Sequence, residues 1–251
     1  MSMLRVVLLA LLACVAGPAF SAFHLMKIVE VFPGTALRPD AQYVVLQMYN
    51  SGQNQVMGHN VQVFDAAGNQ TNSFAFLGNV PNGSNQARIF IATADAATFF
   101  ALTADLVMLP VLPRAGGKVC FDSIDCVAWG NYTGPAGTGD AGINTPFNRP
   151  GQVGTIGTGG LVSGRSALRS LGGDGVLQNS DDTNNSSVDF SIGLPAPRNN
   201  AAGLGVVPAN NCGNGTVEGL EQCDDNNQNN GDACSADCLF VNPFVFSDGF
   251  E

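Results

Sequence analysis

The residues best placed to do chemistry gather near the end of the chain. Asp224, Asp225, Asn226, Asn227, Asn229 and Asp232 put hard oxygen donors into one short loop between cysteines. Calcium takes about six to eight oxygens, and a loop closed covalently costs less to order around it. The candidate calcium ligands are Asp224, Asp225, Asn226 and Asp232. Their spacing departs from the EF-hand loop, which has Gly at its sixth position, whereas Gly231 is seventh counted from Asp225. The competing account is a solvated acidic loop held by Asx turns. Asp181, Asp182 and Asp189 form a second acidic group, which turn and strand-end hydrogen bonding explains more simply.

Of the 7 cysteines, Cys14 falls in an apolar N-terminal run, which leaves Cys120, Cys126, Cys212, Cys223, Cys234 and Cys238. An even set in an exported chain reads as disulfides. Cys120 and Cys126 flank a turn through Asp122 and Ser123 and are expected to pair with each other. The last four, within residues 212–238, leave three connectivities open. Zinc is the rival reading. Cys234 and Cys238 have tolerable ligand spacing, but ten residues separate Cys212 from Cys223 and no His lies near.

Catalytic patterns are scarce. No G-x-S-x-G run occurs, so a nucleophile elbow is absent. The 2 histidines are His24, expected in solvent, and His59, expected on a surface turn. Gly137, Gly139 and Gly142 match a dinucleotide-binding pattern in letters only. Pro146 and Pro150 follow where that motif needs a helix. The single Trp, Trp129, reads as core packing. Lys and Arg are scattered and the acidic end repels phosphate, which disfavours nucleic acid as a partner.

The elements that must carry these residues read as strands. Residues 27–32 (KIVEVF) are rich in β-branched and aromatic side chains. In residues 42–50, Val44, Leu46 and Met48 share one face, and Tyr43, Val45, Gln47 and Tyr49 share the other. Further strands are expected at 60–65, 71–77, 88–93, 119–121, 126–129, 166–171 and 188–190. One helical stretch is expected within 94–106, as one or two short turns. Residues 131–164 are dense in Gly, Thr, Pro and Asn and read as a long surface loop. Short strands with frequent turn signals point to an all-β sandwich of two sheets.

Composition agrees with that class. Hydrophobic residues make up 45%, charged residues only 12%, and Gly and Pro number 31 and 13, which disfavours a helical bundle. The net charge of −10 disfavours anionic partners. It is uneven. Residues 22–200 carry 9 basic and 12 acidic side chains, and residues 201–251 carry 8 acidic and no basic ones. The N-terminus reads as a secretory signal peptide, residues 1–21, with Arg5 before an apolar run and cleavage after Ser21. A lipoprotein signal ending at Cys14 and an uncleaved anchor are the rivals. No later stretch reaches the roughly 18 apolar residues of a membrane helix.

Residues 27–200 resemble the bacterial branch of the lamin-tail domain family. The likeness runs through KIVEVF, then QYVVLQMYNSG with Asn50 and Gly52, then MGHNVQVFDAAG with Gly58, Asp65 and Gly68. It continues through GGKVCFDSIDCVAWGNYTG to the closing SDDTNNSSVDFSIGLPAPRNN. Gln42 and Val45 stand where many members are acidic. The resemblance implies an immunoglobulin-like β-sandwich and an interaction or scaffold role. Residues 212–238 (CGNGTVEGLEQCDDNNQNNGDACSADC) resemble one Myxococcus cysteine-rich repeat, with Asn226 and Ala233 as departures. The last seven residues, VFSDGFE, are similar to an acidic-aromatic ending of other exported bacterial proteins.

The expected plan is therefore a signal peptide (1–21), a sandwich (22–200), a linker (201–211), a small disulfide-rich module (212–238) and a tail (239–251). The expected function is a secreted or cell-surface, non-enzymatic interaction or scaffold module that binds a protein or surface component. The alternatives are a calcium-dependent adhesion or matrix component and an exported hydrolase with an unrecognised site.

Overall fold

The computed structural model describes residues 23–135, 160–230, 232 and 234–239. The predicted signal peptide, Cys14, the Gly137–Gly142 pattern, most of the Gly-rich loop and the tail beyond residue 239 lie outside the described residues.

Ten strands form two sheets among the described residues. They are β1 (Met26–Pro33), β2 (Gln42–Met48), β3 (Asn60–Phe64), β4 (Gln70–Ala75) and β5 (Arg88–Ala92). There follow β6 (Leu106–Val107), β7 (Gly116–Phe121), β8 (Asp125–Gly130), β9 (Ser166–Arg169) and β10 (Phe190–Gly193). The larger sheet runs β10-β9-β1-β2-β5-β6 and the smaller β4-β3-β7-β8. All pairings are antiparallel except β5 with β6.

The main core lies between the sheets. Val44, Leu46 and Met48 of β2 and Ile89 and Ile91 of β5 meet Val61, Val63, Val119, Phe121, Val127 and Trp129 of the smaller sheet. The face division expected for β2 is the one observed. Trp129 is fully buried, and its Nε1 donates to the Pro113 carbonyl at 2.7 Å.

A second apolar cluster covers the outer face of the larger sheet. Phe32, Tyr43, Val45 and Phe90 pack there against Ala96, Phe100, Leu177 and Leu220. Helix α1 (Ala94–Phe99) supplies part of this cover. Thr93 caps it, accepting from the Ala96 amide at 3.0 Å. The helical stretch expected within 94–106 is this short helix; after it Ala101 takes a positive φ of 48° and the chain turns into β6.

The strand expected at 188–190 starts only at Phe190. Asn185 instead caps a helical turn, α2 (Ser186–Asp189), by accepting from the Ser187 amide. Local side-chain bonding there outweighs the β preference of Val188, which stays exposed.

The stretch read as a linker begins fastened rather than free. The Asn200 side chain bonds to the main chain of Asn82 and Arg88, and the Val206 amide donates to the Phe100 carbonyl at 2.7 Å.

Candidate functional site

Three disulfides are formed: Cys120–Cys126, Cys212–Cys238 and Cys223–Cys234. The first links directly opposed residues of the β7–β8 hairpin, the pairing its spacing predicted. The other two are nested, one ring inside the other, and define the C-terminal cap.

The cap is seated on the sandwich. Leu220 is buried in the outer cluster, Gln222 Nε2 donates to the Ser163 carbonyl, and Arg165 donates to the Asp237 carbonyl. Gly164 adopts a φ of +70°, and a Cβ there would collide with the Leu220 carbonyl. Glycine is thus required where the cap meets the sheet.

Asp224 is the centre of the cap loop. Its Oδ2 accepts from the amides of Gly213 (2.9 Å) and Asn214 (3.1 Å), and its Oδ1 from those of Gly215 and Asn226 (both 2.8 Å). Partial desolvation pushes its pKa up, but the amides together prevail and hold it below the usual range. Asn226 takes part through its backbone, with φ +64°. Asp232 is exposed and accepts from Asn227 Nδ2 at 3.2 Å, while Asp225 is half-buried.

Among the described residues, the acidic, His and Cys side chains that converge closely enough for a metal are Glu221, Asp224 and Cys238, within 4.8 Å of one another. Neither Asp225 nor Asp232 joins such a group. Cys238 is bonded to Cys212 and offers no thiolate. Glu221 is 1% exposed. Its Oε2 accepts from the Glu218 amide at 2.9 Å, and the Asn211 amide also bonds this carboxylate. Burial pushes the Glu221 pKa up, and Asp224 and Glu218 add repulsion.

A larger set of charges is buried inside the sandwich. Lys27 Nζ meets Asp182 Oδ2 at 2.6 Å. The Arg169 guanidinium meets Asp125 at 2.8 Å, Asp182 at 3.3 Å and Asp189 at 3.5 Å. None of these five side chains is more than 5% exposed. Arg169 Nε also donates to the Ile28 carbonyl, and the Ile28 amide donates to Asp125. The cluster ties β1, β8 and β9 to the 181–189 segment and so joins both sheets. Asp182 and Asp189 do make the expected turn bonds, with Asn184 and Thr183, but their oxygens also serve this cluster.

No known protein family, curated protein or solved structure matches the chain. The functional reading therefore rests on the geometry.

Other reactive-looking groups are also engaged. Glu30 Oε1 accepts from Tyr43 Oη (2.5 Å), Ser166 Oγ (2.7 Å) and the Ala196 amide (2.9 Å). Burial nonetheless pushes the Glu30 pKa up. His59 Nδ1 meets Asp122 at 2.6 Å, and its ring stacks on Phe23 at 3.4 Å, so it is less solvated than a free turn residue. His24 stays exposed. A shallow groove of 340 Å³ lies between the edges of the two sheets, with Leu77, Val80 and Val107 on its walls. Its carboxylate, Asp105, accepts from the amides of Phe90 and Asn200.

The sequence pointed to the paired cysteines and to buried Trp129. It missed Glu221, although this residue opens the quoted EQCDD run, because burial of a single acidic side chain leaves no periodic signal. It missed the Lys27–Arg169–Asp125 cluster because its members are up to 142 positions apart (27 to 169).

Proposed function

We propose that this protein is an exported, non-catalytic interaction or scaffold module of the cell surface or extracellular space. The observation that carries the reading is how its ionisable groups are used. Asp125, Asp182, Asp189 and Arg169 are bonded to one another and to backbone inside the sandwich, and Glu30 is bonded to Tyr43, Ser166 and the Ala196 amide; none of them is turned toward the groove. Such groups hold a rigid shape. Three disulfides support an oxidising destination. Among the described residues no helix is long and apolar enough to cross a membrane.

Expression of the full sequence in a bacterial host tests this directly. The protein is expected outside the cytoplasm, beginning at Ala22 and without free thiols. A cytoplasmic chain that retains Met1 and all 7 cysteines as reactive thiols would overturn the export reading. Turnover on a hydrolase panel that is lost on single Ser or Asp substitution would overturn the non-catalytic one.

One observation favours a second reading, a calcium-dependent adhesion or matrix component. It is the acidic cap itself, where Glu221 and Asp224 carboxylate oxygens lie within 4.8 Å of each other.

A further inference from the structure

We infer that the protein self-associates through the free edge of its smaller sheet, strand β4 of one copy pairing antiparallel with β4 of a second copy. The inference deepens the scaffold reading above by naming a surface and the partner it takes.

The first observation is the edge itself. β4 ends its sheet, and among the described residues β3 is the strand bonded to it. The opposite end is closed: every residue of β8 is buried, and Ser186 Oγ accepts from the Ala128 amide. An open edge presents a row of backbone donors and acceptors, which proteins normally blunt with Lys, Pro or an inward-pointing charge. β4 (QTNSFA) carries none of these. Its one such device is a bulge at Thr71, which the register with β3 skips. Residues 72–76 then run on regularly, with the Phe76 amide still donating to the His59 carbonyl. Phe74 and Phe76 pack on the core, while Ser73 and Ala75 are exposed.

The second observation is what surrounds that edge. Residues 66–87 and 106–113 contain no charged side chain. Leu77 (92% exposed) and Val107 (64%) wall the groove beside β4, and Met57 (61%) adjoins them, its amide bonded to Asn79 Oδ1. The groove's carboxylate, Asp105, is taken up by two amides. Exposed apolar side chains gathered beside an open strand mark a protein contact. Charge selects the occupant. The chain carries −10, so two copies repel over most of their surface, and this neutral strip is where they can meet. A basic partner would find no counter-charge here. An antiparallel edge is also self-complementary about a two-fold axis, so the pairing closes as a dimer and joins two four-stranded sheets into one. A contact this short falls in the class below about 1,200 Å², with a Kd of roughly 10–100 μM.

Sedimentation equilibrium of the full oxidised chain, in about 0.15 M salt and from below to above that Kd range, tests this. Wild type is expected to show a monomer–dimer equilibrium that tightens with added salt, as screening removes the repulsion. Amides in 72–76 are expected to exchange more slowly at the high concentration. Ser73→Lys and Ala75→Lys, both at exposed positions, set like charges close together across the paired edges. Each is expected to stay monomeric with the wild-type circular dichroism. Val188→Lys, on the exposed side of α2, is expected to dimerise as wild type does. A wild-type chain that is monomeric throughout would overturn the pairing, while the export and hydrolase tests above still decide the broader reading. A dimer that survives both edge lysines, or that Val188→Lys abolishes, would place the contact elsewhere and overturn it too. If the lysine variants misfold, exchange in wild type decides: no protection gained at 72–76 on dimerisation rejects the edge.

Discussion

Asp125 lies against Arg169, near Lys27 and two further carboxylates, and burial pushes its pKa from 3.8 to about 6. Loss of solvation outweighs the pull of Arg169 and Lys27, and Asp182 adds repulsion. Lys27 and Arg169 face Asp125, Asp182 and Asp189, so full ionisation would bury one negative charge in excess. The folded value lies above the unfolded one, so the folded chain holds a proton that the unfolded chain loses. Stability from this group is fully present below about pH 4 and is lost as pH rises through about 6, on the order of 2–3 kcal/mol. Asp182 acts oppositely: its pKa is lowered, so its contribution is lost only as pH falls below the ordinary carboxylate range. The melting midpoint of wild type is therefore expected to rise from about pH 7.5 to about pH 5. Asp125→Asn should flatten that slope without lowering stability at the upper pH. A midpoint that falls on acidification in both proteins would contradict this account. Arg169→Ala leaves three carboxylates against Lys27 alone, and a loss of about 3–5 kcal/mol in denaturant unfolding is expected.

At the scale of elements, β2 was legible because its alternation is strict and both faces are buried. β1 was not. Strict alternation would place Ile28, Glu30 and Phe32 on one face. The observed register skips Val29, so Ile28 pairs with Leu46 and Glu30 with Val45. This bulge keeps Ile28 and Val31 in the main core and moves Glu30 toward Tyr43 and Ser166. A one-residue bulge has no compositional mark. Nor did sequence show which element the cap would rest on, since among the described residues of the cap Leu220 is the one that joins the outer apolar cluster. Gly164 fixes that seat through its positive φ and the adjoining Leu220 carbonyl. Gly164→Ala is expected to lift the cap from the sheet. Limited proteolysis should then cut within 212–238 faster, while the sandwich transition stays within about 1–2 kcal/mol of wild type. Unchanged cleavage would show that the seat is not required.

At the scale of the whole molecule, the chain is a sandwich with apolar cover on the outer face of its larger sheet. The two-sheet plan could be read from turn spacing and strand composition. The cover could not, because it draws on α1, Leu177 and Leu220 from distant parts of the chain. The cap has little apolar volume of its own: its internal cluster consists of its cysteines. Its order must come from the disulfides and from its seat. Mild reduction is expected to open residues 212–238 while the sandwich remains folded. Trp129, the one Trp and wholly inside the main core, makes this separable. Its fluorescence should hold steady while protease sites in the cap appear. Simultaneous loss of both signals would mean that the cap holds the sandwich together.

The nested rings also constrain how the protein can be made. Thiols that are oxidised in the order they emerge would join Cys212 to Cys223 and Cys234 to Cys238. The native partners are Cys212 with Cys238 and Cys223 with Cys234. Reaching them requires a thiolate to attack a bond already made and exchange partners. Where oxidation runs ahead of folding, an oxidant alone would leave scrambled cap isomers, and an isomerase or redox buffer that reopens wrong pairs is then needed. The Cys120–Cys126 hairpin, closed between nearest neighbours in the chain, is free of that demand.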